Sequence, residues 1–238
     1  MHRGRVLREL IRTNLRRREI RRRARLLTRQ HQPIKLEIGA AGHPVHSGDW
    51  IVTNLPVLDA LSESHWRSLF RPRSVNRVLA EHVVEHWTLA QLSTFLGILR
   101  TYLAPQGFSR LAVPDGHHPD PSYVAAVQPG GSGPGADDHK VLYTHESLTA
   151  ACASAGFEVR LVEYFDAEGH FHSALWDTAD GYIDRSAAHD SRNSNGELAY
   201  TSLIVDAFPA AASPEKMWRD MGPHCDAPID GKCGSHDA

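Results

Sequence analysis

The sequence is short of several things, and each shortage closes off a class of protein. Only three cysteines occur in 238 residues. Cys152, Cys225 and Cys233 are too few and too unevenly placed for a disulfide framework. No apolar run approaches the roughly 18 residues of a membrane span, and the opening residues carry no apolar core of the signal-peptide kind. An intracellular, cytoplasmic protein is therefore the expectation. There is no G-x-x-x-x-G-K-[ST], which argues against a cradle for nucleoside-triphosphate phosphates. No internal repeat is visible.

Lysine is missing from residues 1–30, where the basic charge is arginine alone. Twelve arginines stand there against Glu9 and Glu19, a balance of +10, so the remainder must carry −12 to reach the net charge of −2. Val6, Leu7, Leu10, Ile11 and Leu15 fall at helical spacing, which predicts an amphipathic, basic arm. Such an arm folds against the acidic body as a solvated helix, contacts an anionic surface such as membrane or nucleic acid, or closes over an active site.

Beyond the arm, strand and helix signals alternate. Strands are predicted over 34–38, 50–55, 75–80, 108–113, 157–164 and 203–208, and helices over 59–70, 89–103 and 146–155. Pro105-Gln106-Gly107 reads as a turn. Residues 116–143, rich in Gly, Pro and Asp, read as one long loop, and 166–198 as a second polar stretch. The alternation predicts an α/β domain over 31–209 with a mostly parallel sheet, followed by a loosely structured tail over 210–238. Only Gly42 to Asp49 separate the first two strands, too few for a full crossover helix.

His82-Val-Val-Glu85-His86 spells the H-x-x-E-H of one group of zinc proteases. That chemistry needs both imidazoles on one helical face. Thr88-Leu-Ala-Gln91 is a capping box, so the helix begins after the motif. The expectation is a strand end, where open α/β sheets build their ligand sites, and no metal. His224, Cys225, Cys233 and His236 in the tail are soft-metal ligand types, but sixteen histidines make chance clustering the simpler account.

Gly39-Ala40-Ala41-Gly42 follows the first strand, and Asn54 ends the second. Glycines there let backbone N–H groups approach a ligand. Few basic residues lie nearby, which suits a neutral or cationic nucleoside better than a triphosphate. Three stretches, "KLEIGAAGHPVHSGDWIVTNL", "SVNRVLAEHVVEHWT" and "LAPQGFSRLAVPDG", resemble motifs of class I S-adenosylmethionine-dependent methyltransferases. "HPDPSYV", "GPGADDHKVLY", "EYFDAEGHFH", "DGYIDRS" and "YTSLIVDA" are similar to a bacterial branch of predicted methyltransferases.

The resemblance runs from about residue 34 to 208. It implies a Rossmann-like sheet with an antiparallel C-terminal strand and S-adenosylmethionine as cofactor. It also implies that Gly39, Ala40 and Gly42 flank the methionine part, that Glu37 orients the turn, and that Asn54 faces the ribose. Ala80, Glu81 and His82 would lie along the cofactor. Ala41 stands where a glycine is common, and Asn54 where Asp is usual.

Methyl transfer needs chiefly alignment, with a base where the acceptor arrives protonated. His82, Glu85, Asp115, Asp138 and His139 are the candidate bases, and Tyr143 is a further candidate catalytic group on the same loop. Phe165, Phe171, Trp176, Tyr182 and Tyr200 are core aromatics or walls for a cationic ligand. Two alternatives to a small-molecule methyltransferase remain open. One is a cyclase of the azetidine-2-carboxylate type, in which the cofactor is its own substrate and leaves as methylthioadenosine. The other is a non-catalytic protein that binds through its arm.

Overall fold

The computed structural model describes residues 2–40, 48–193 and 198–210. The arginine-rich arm is one helix, α1 (His2–Arg29). Its second half docks on the body: Ile20 and Ala24 are buried in the main core. The arginines beside them satisfy carbonyls. Arg17 Nε donates to Val57 O at 2.8 Å and its Nη2 to Pro56 O at 2.9 Å. Arg21 Nε donates to Ser68 O at 2.7 Å, in the last turn of α2 (Glu63–Leu69), whose final carbonyls lack intrahelical partners. A guanidinium's several fixed donors suit this role better than an ammonium. Val6, Leu7, Leu10, Ile11 and Leu15, in the first half, stay 45–59% exposed.

Seven strands form one sheet: β1 (Lys35–Ile38), β2 (Trp50–Val52), β3 (Val75–Glu81), β4 (Leu103–Pro114), β5 (Phe157–Phe165), β6 (Phe171–Ser173) and β7 (Ser202–Pro209). Their order is β2-β1-β3-β4-β7-β5-β6. The first four in that order pair in parallel. β7 inserts antiparallel to both β4 and β5, so β5 points the same way as the first four. This is the mostly parallel α/β sheet with an antiparallel C-terminal strand that the sequence led us to expect. The described residues between β1 and β2, namely 39–40 and 48–49, are not helical. No helix among the described residues is long and apolar enough to cross a membrane.

Three helices back the sheet on the side of the main core: α2, α3 (Leu89–Tyr102) and a later one over His145–Ser154. α3 opens on the capping box read from the sequence, with Gln91 N–H donating to Thr88 Oγ1 and Thr88 N–H to Gln91 Oε1. Leu92, Phe95, Leu96 and Leu99 bury its inner face against Leu36, Val78 and Leu111 of the sheet.

Two sequence expectations are corrected. Pro105-Gln106-Gly107 does not end a loop before the strand. It bulges within β4, whose register on β3 jumps from Val75↔Leu103 to Arg77↔Phe108. Residues 116–143 are not one irregular loop either. They hold a short helix, α4 (Pro121–Val127), entered through Asp120, whose Oδ1 accepts from Ser122 N–H at 2.8 Å. The helix over His145–Ser154 is accordingly α5, with Thr144 and Ser147 forming its own capping box.

The other face of the sheet is closed by the polar stretch after β6. Arg110 of β4 lies there, 1% exposed, and forks onto Asp206 of β7 at 2.7 and 3.0 Å. Its Nη1 donates to Gly181 O at 2.8 Å, so the covering segment is tied down by the same side chain. Arg160 of β5 adds a third contact to Asp206 at 2.7 Å.

Candidate functional site

A cavity of about 680 Å3 opens where β1, β3 and β4 end. Gly39 and Ala40 line it from the turn after β1, Glu81 and His82 from the end of β3, and Pro114 from the end of β4. The carboxyl edge of parallel strands is where such folds bind ligands. The local backbone suits that task. Gly39 adopts a left-handed φ of 71°, and a Cβ there would collide with the Val83 side chain. His82 also takes a left-handed φ, of 51°, which a non-glycine residue adopts only under constraint. Its N–H donates to Ala112 O at 2.8 Å, and its Nε2 lies 3.0 Å from Ser202 Oγ.

Glu37 is buried and lines the cavity, and its carbonyl accepts from Thr53 N–H and Oγ1. Glu81 ties down the opposite wall: its carboxylate accepts from Arg185 N–H at 2.8 Å and Asp184 N–H at 3.2 Å. Burial raises its carboxyl above the ordinary range, against the pull of those two bonds. Tyr123 of α4 and Tyr200 face each other across 5.2 Å and line the same space.

The H-x-x-E-H stretch is not a helix carrying two histidines. Val84–His86 is a single 3-10 turn between β3 and α3. Yet it does meet the long connection after β4. Lys140 N–H donates to Glu85 O at 2.7 Å and Val141 N–H at 3.3 Å, which lays the preceding residue, His139, against His86. Glu85, His86 and His139 all line the cavity.

The remaining predicted residues divide. Asp138 is exposed and outside the lining, its Oδ1 2.7 Å from Lys140 Nζ and its Oδ2 3.4 Å from His86 Nδ1. The lysine contact holds its carboxyl below the usual range. Ala80 is fully buried in β3, behind the lining. Asn54 is exposed and outside the lining, with its Oδ1 accepting from Leu55 N–H at 2.8 Å. Gly42 and Ala41 lie outside the described residues.

Asp115 and Tyr143 are brought together in a bridge between their chain segments, but neither lines the cavity. Asp115 is fully buried and accepts from His117 N–H at 2.9 Å and Phe165 N–H at 2.8 Å. Burial raises its carboxyl above the usual range. Burial likewise pushes the Tyr143 phenol up to about 12, with Cys152 and Glu85 adding to the effect. Of the aromatics singled out in the sequence, only Tyr200 lines the cavity. Trp176 instead donates to Glu163 Oε1 at 3.1 Å, and Tyr182 packs on His189.

Tyr123, Arg185 and Arg192 line the cavity and were not expected there. A signal for Tyr123 existed: Asp120-Pro121 pairs a favoured N-cap with proline at the first helical position. Arg185 lies in the DGYIDRS stretch, where no role fell to it, and nothing in the sequence pattern pointed to Arg192. Arg192 is held by Asp190 and stacks on the Tyr200 ring at 3.4 Å.

No family model and no curated protein sequence matches the chain. Solved structures do. A SAM-dependent methyltransferase from Archaeoglobus fulgidus shares 14% identity, with 80% of this chain and 92% of that one covered and a TM-score of 0.43. The CurJ carbon methyltransferase shares 14%, with 75% and 49% covered and a TM-score of 0.44. The methyltransferase CalH, solved with SAH, shares 16%, with 78% and 54% covered and a TM-score of 0.40. This chain spans about half the length of the last two. At such identities the likeness concerns the fold alone.

Proposed function

We propose that the chain is an S-adenosylmethionine-dependent methyltransferase acting on a small molecule. The position of the cavity carries the reading. It lies at the carboxyl ends of β1, β3 and β4, beside a left-handed glycine turn, and its volume suits a nucleoside with a small acceptor. The lining includes the acidic residues Glu37, Glu81, Glu85, Asp120 and Asp184 against Arg185 and Arg192. The acidic excess favours a cationic ligand such as a sulfonium over a polyphosphate.

The cofactor supplies a methyl carbon already made electrophilic by its sulfonium. The chain's part is then to hold the acceptor in line and keep water out. Gly39 and Ala40 back the methionine portion, and the walls near Glu81 and His82 flank the nucleoside. Glu85, His86 and His139 form the polar side of the cavity, where an acceptor's O–H or N–H is oriented.

Calorimetry with S-adenosylmethionine and S-adenosylhomocysteine tests binding, and mass spectrometry of the spent cofactor tests chemistry. S-adenosylhomocysteine with a methylated acceptor is the expected product. Methylthioadenosine from the cofactor alone would assign a cyclase instead. Absence of both heat and a thermal shift at millimolar cofactor would overturn the reading.

A further inference from the structure

We propose that Glu85, His86 and His139 bind a first-row divalent transition metal, of which zinc is the type case, on the wall of the cavity. Glu85 is 0% exposed, and neither of its carboxylate oxygens has a hydrogen-bond partner among the described residues. His82 Nδ1 stands 3.1 Å from Glu85 Oε1, within ion-pair range but outside hydrogen-bond geometry. A buried carboxylate left this bare is costly unless a cation completes it.

Both imidazoles line the cavity beside Glu85. His139 Nδ1–H donates to Val127 O at 2.6 Å, which leaves the lone pair on Nε2. A backbone carbonyl holding the far nitrogen is how proteins orient metal-binding histidines. His86 Nδ1 is buried without a hydrogen-bond partner among the described residues, with Asp138 Oδ2 at 3.4 Å. The two rings lie edge to face, with centroids 4.8 Å apart. One ligand atom from each of the three residues falls within 4.8 Å of the others. A tetrahedral ion holds its ligands roughly 3.4 Å apart at ordinary bond lengths, so modest side-chain closure completes the set.

The convergence is made by backbone, through the Lys140 and Val141 bonds to Glu85 O, rather than by mobile surface side chains. A second cluster in the molecule, His117, His145 and Glu146, provides a contrast. Its carboxylate is 55% exposed and already pairs with both imidazoles, at 3.1 and 3.3 Å.

Two imidazoles and one carboxylate suit zinc, iron, cobalt or manganese rather than calcium or magnesium. Three protein ligands leave a coordination position open, as in catalytic rather than structural sites, and all three residues line the cavity. The role that follows rests on the methyltransferase reading: the open position takes an acceptor bearing a hydroxyl and lowers its pKa. The hydroxyl proton leaves to solvent, the oxygen forms the new bond to the methyl carbon, and the sulfur keeps the electron pair of the broken bond.

The test uses the full chain carrying Cys225→Ser and Cys233→Ser, so that tail thiolates play no part. Metal-free protein is titrated with Co2+ and, separately, Zn2+. One equivalent of Co2+ should bind, with visible bands of a nitrogen and oxygen set and no thiolate charge-transfer band. Zn2+ should raise the melting temperature. Glu85→Gln, His86→Ala and His139→Ala should each weaken Co2+ binding at least about tenfold, in line with losses at supporting positions alone. His117→Ala should leave it unchanged. Glu85→Gln keeps the shape of the buried side chain without its charge, so its folding, checked by circular dichroism, guards against a trivial loss. No cofactor enters this experiment, so its failure is separate from failure to bind S-adenosylmethionine. Absence of binding, or binding that survives Glu85→Gln and His139→Ala in folded protein, overturns the proposal.

Discussion

The rings of His86 and His139 meet edge to face with centroids 4.8 Å apart, although one follows β3 and the other lies in the connection after β4. Two backbone bonds make this possible, the shorter from Lys140 N–H to Glu85 O at 2.7 Å and the longer from Val141 N–H at 3.3 Å. Lys140→Pro removes the donor of the shorter bond, while Lys140→Ala keeps it and deletes only an exposed pair with Asp138. The proline variant should lose turnover at least about tenfold, the lower range for a misplaced acid, base or orienting group. The alanine variant should stay close to the parent. Equal turnover in all three would mean that the connection does not position His139 for function.

Gly39 tests the cofactor side independently. Its φ of 71° disfavours any side chain, and an added Cβ would meet Val83. Gly39→Ala should raise the dissociation constant for S-adenosylhomocysteine at least about tenfold, equivalent to some 1.4 kcal/mol. Val83→Ala alone should leave affinity near normal, and combining the two should recover only part of the loss, since the backbone strain persists. Unchanged affinity in Gly39→Ala would move the cofactor away from this turn.

Much of this architecture was legible in the residues because local rules agreed with one another. Thr88 and Gln91 marked the start of α3, and apolar spacing marked its buried face. Gly39 announced a turn at a strand end. What local rules could not supply was pairing between distant segments. H-x-x-E-H pointed to His82 and His86 as a pair, and the expected absence of metal followed from their lacking a helix. The ring brought against His86 is instead that of His139, placed by bonds to a backbone carbonyl that no spacing encodes. Asp115 and Tyr143 look the same in sequence whether they face a ligand or tie two segments together. The fold buries them both outside the cavity lining. The bulge at Pro105-Gln106-Gly107 is a similar case: turn residues are equally at home in a strand irregularity.

Asp206 should be the most sensitive charged position outside the cavity. It is fully buried and meets Arg110 at 2.7 and 3.0 Å and Arg160 at 2.7 Å, joining β4, β7 and β5. Asp206→Asn removes the carboxylate charge that two buried guanidinium groups share. Breaking such a pair from one side costs about 3–5 kcal/mol, which urea unfolding should read as a lower midpoint. Because the group is buried, raising salt should change the loss little. A loss below about 1 kcal/mol, the range of an exposed pair, would contradict this account.

The last prediction concerns alkaline stability. Cys152 is fully buried among the main-core side chains of α5, and burial pushes its thiol from 9.0 up to about 12. Below pH 9 the thiol is neutral whether the chain is folded or not, so it contributes no pH dependence. As pH rises through 9 towards about 12, the unfolded chain loses this proton while the folded chain keeps it. Unfolding is then favoured by up to about 1.4 kcal/mol per pH unit from this group. In a Cys225→Ser/Cys233→Ser background, stability by urea unfolding should fall more steeply between about pH 9 and 11 than in the same protein carrying Cys152→Ala. The native thiol should also resist alkylation near pH 8 and react once urea unfolds the chain, since the thiolate is the nucleophile. Parallel pH curves for the two proteins, or fast alkylation of the folded one, would place Cys152 within reach of water and refute the burial argument.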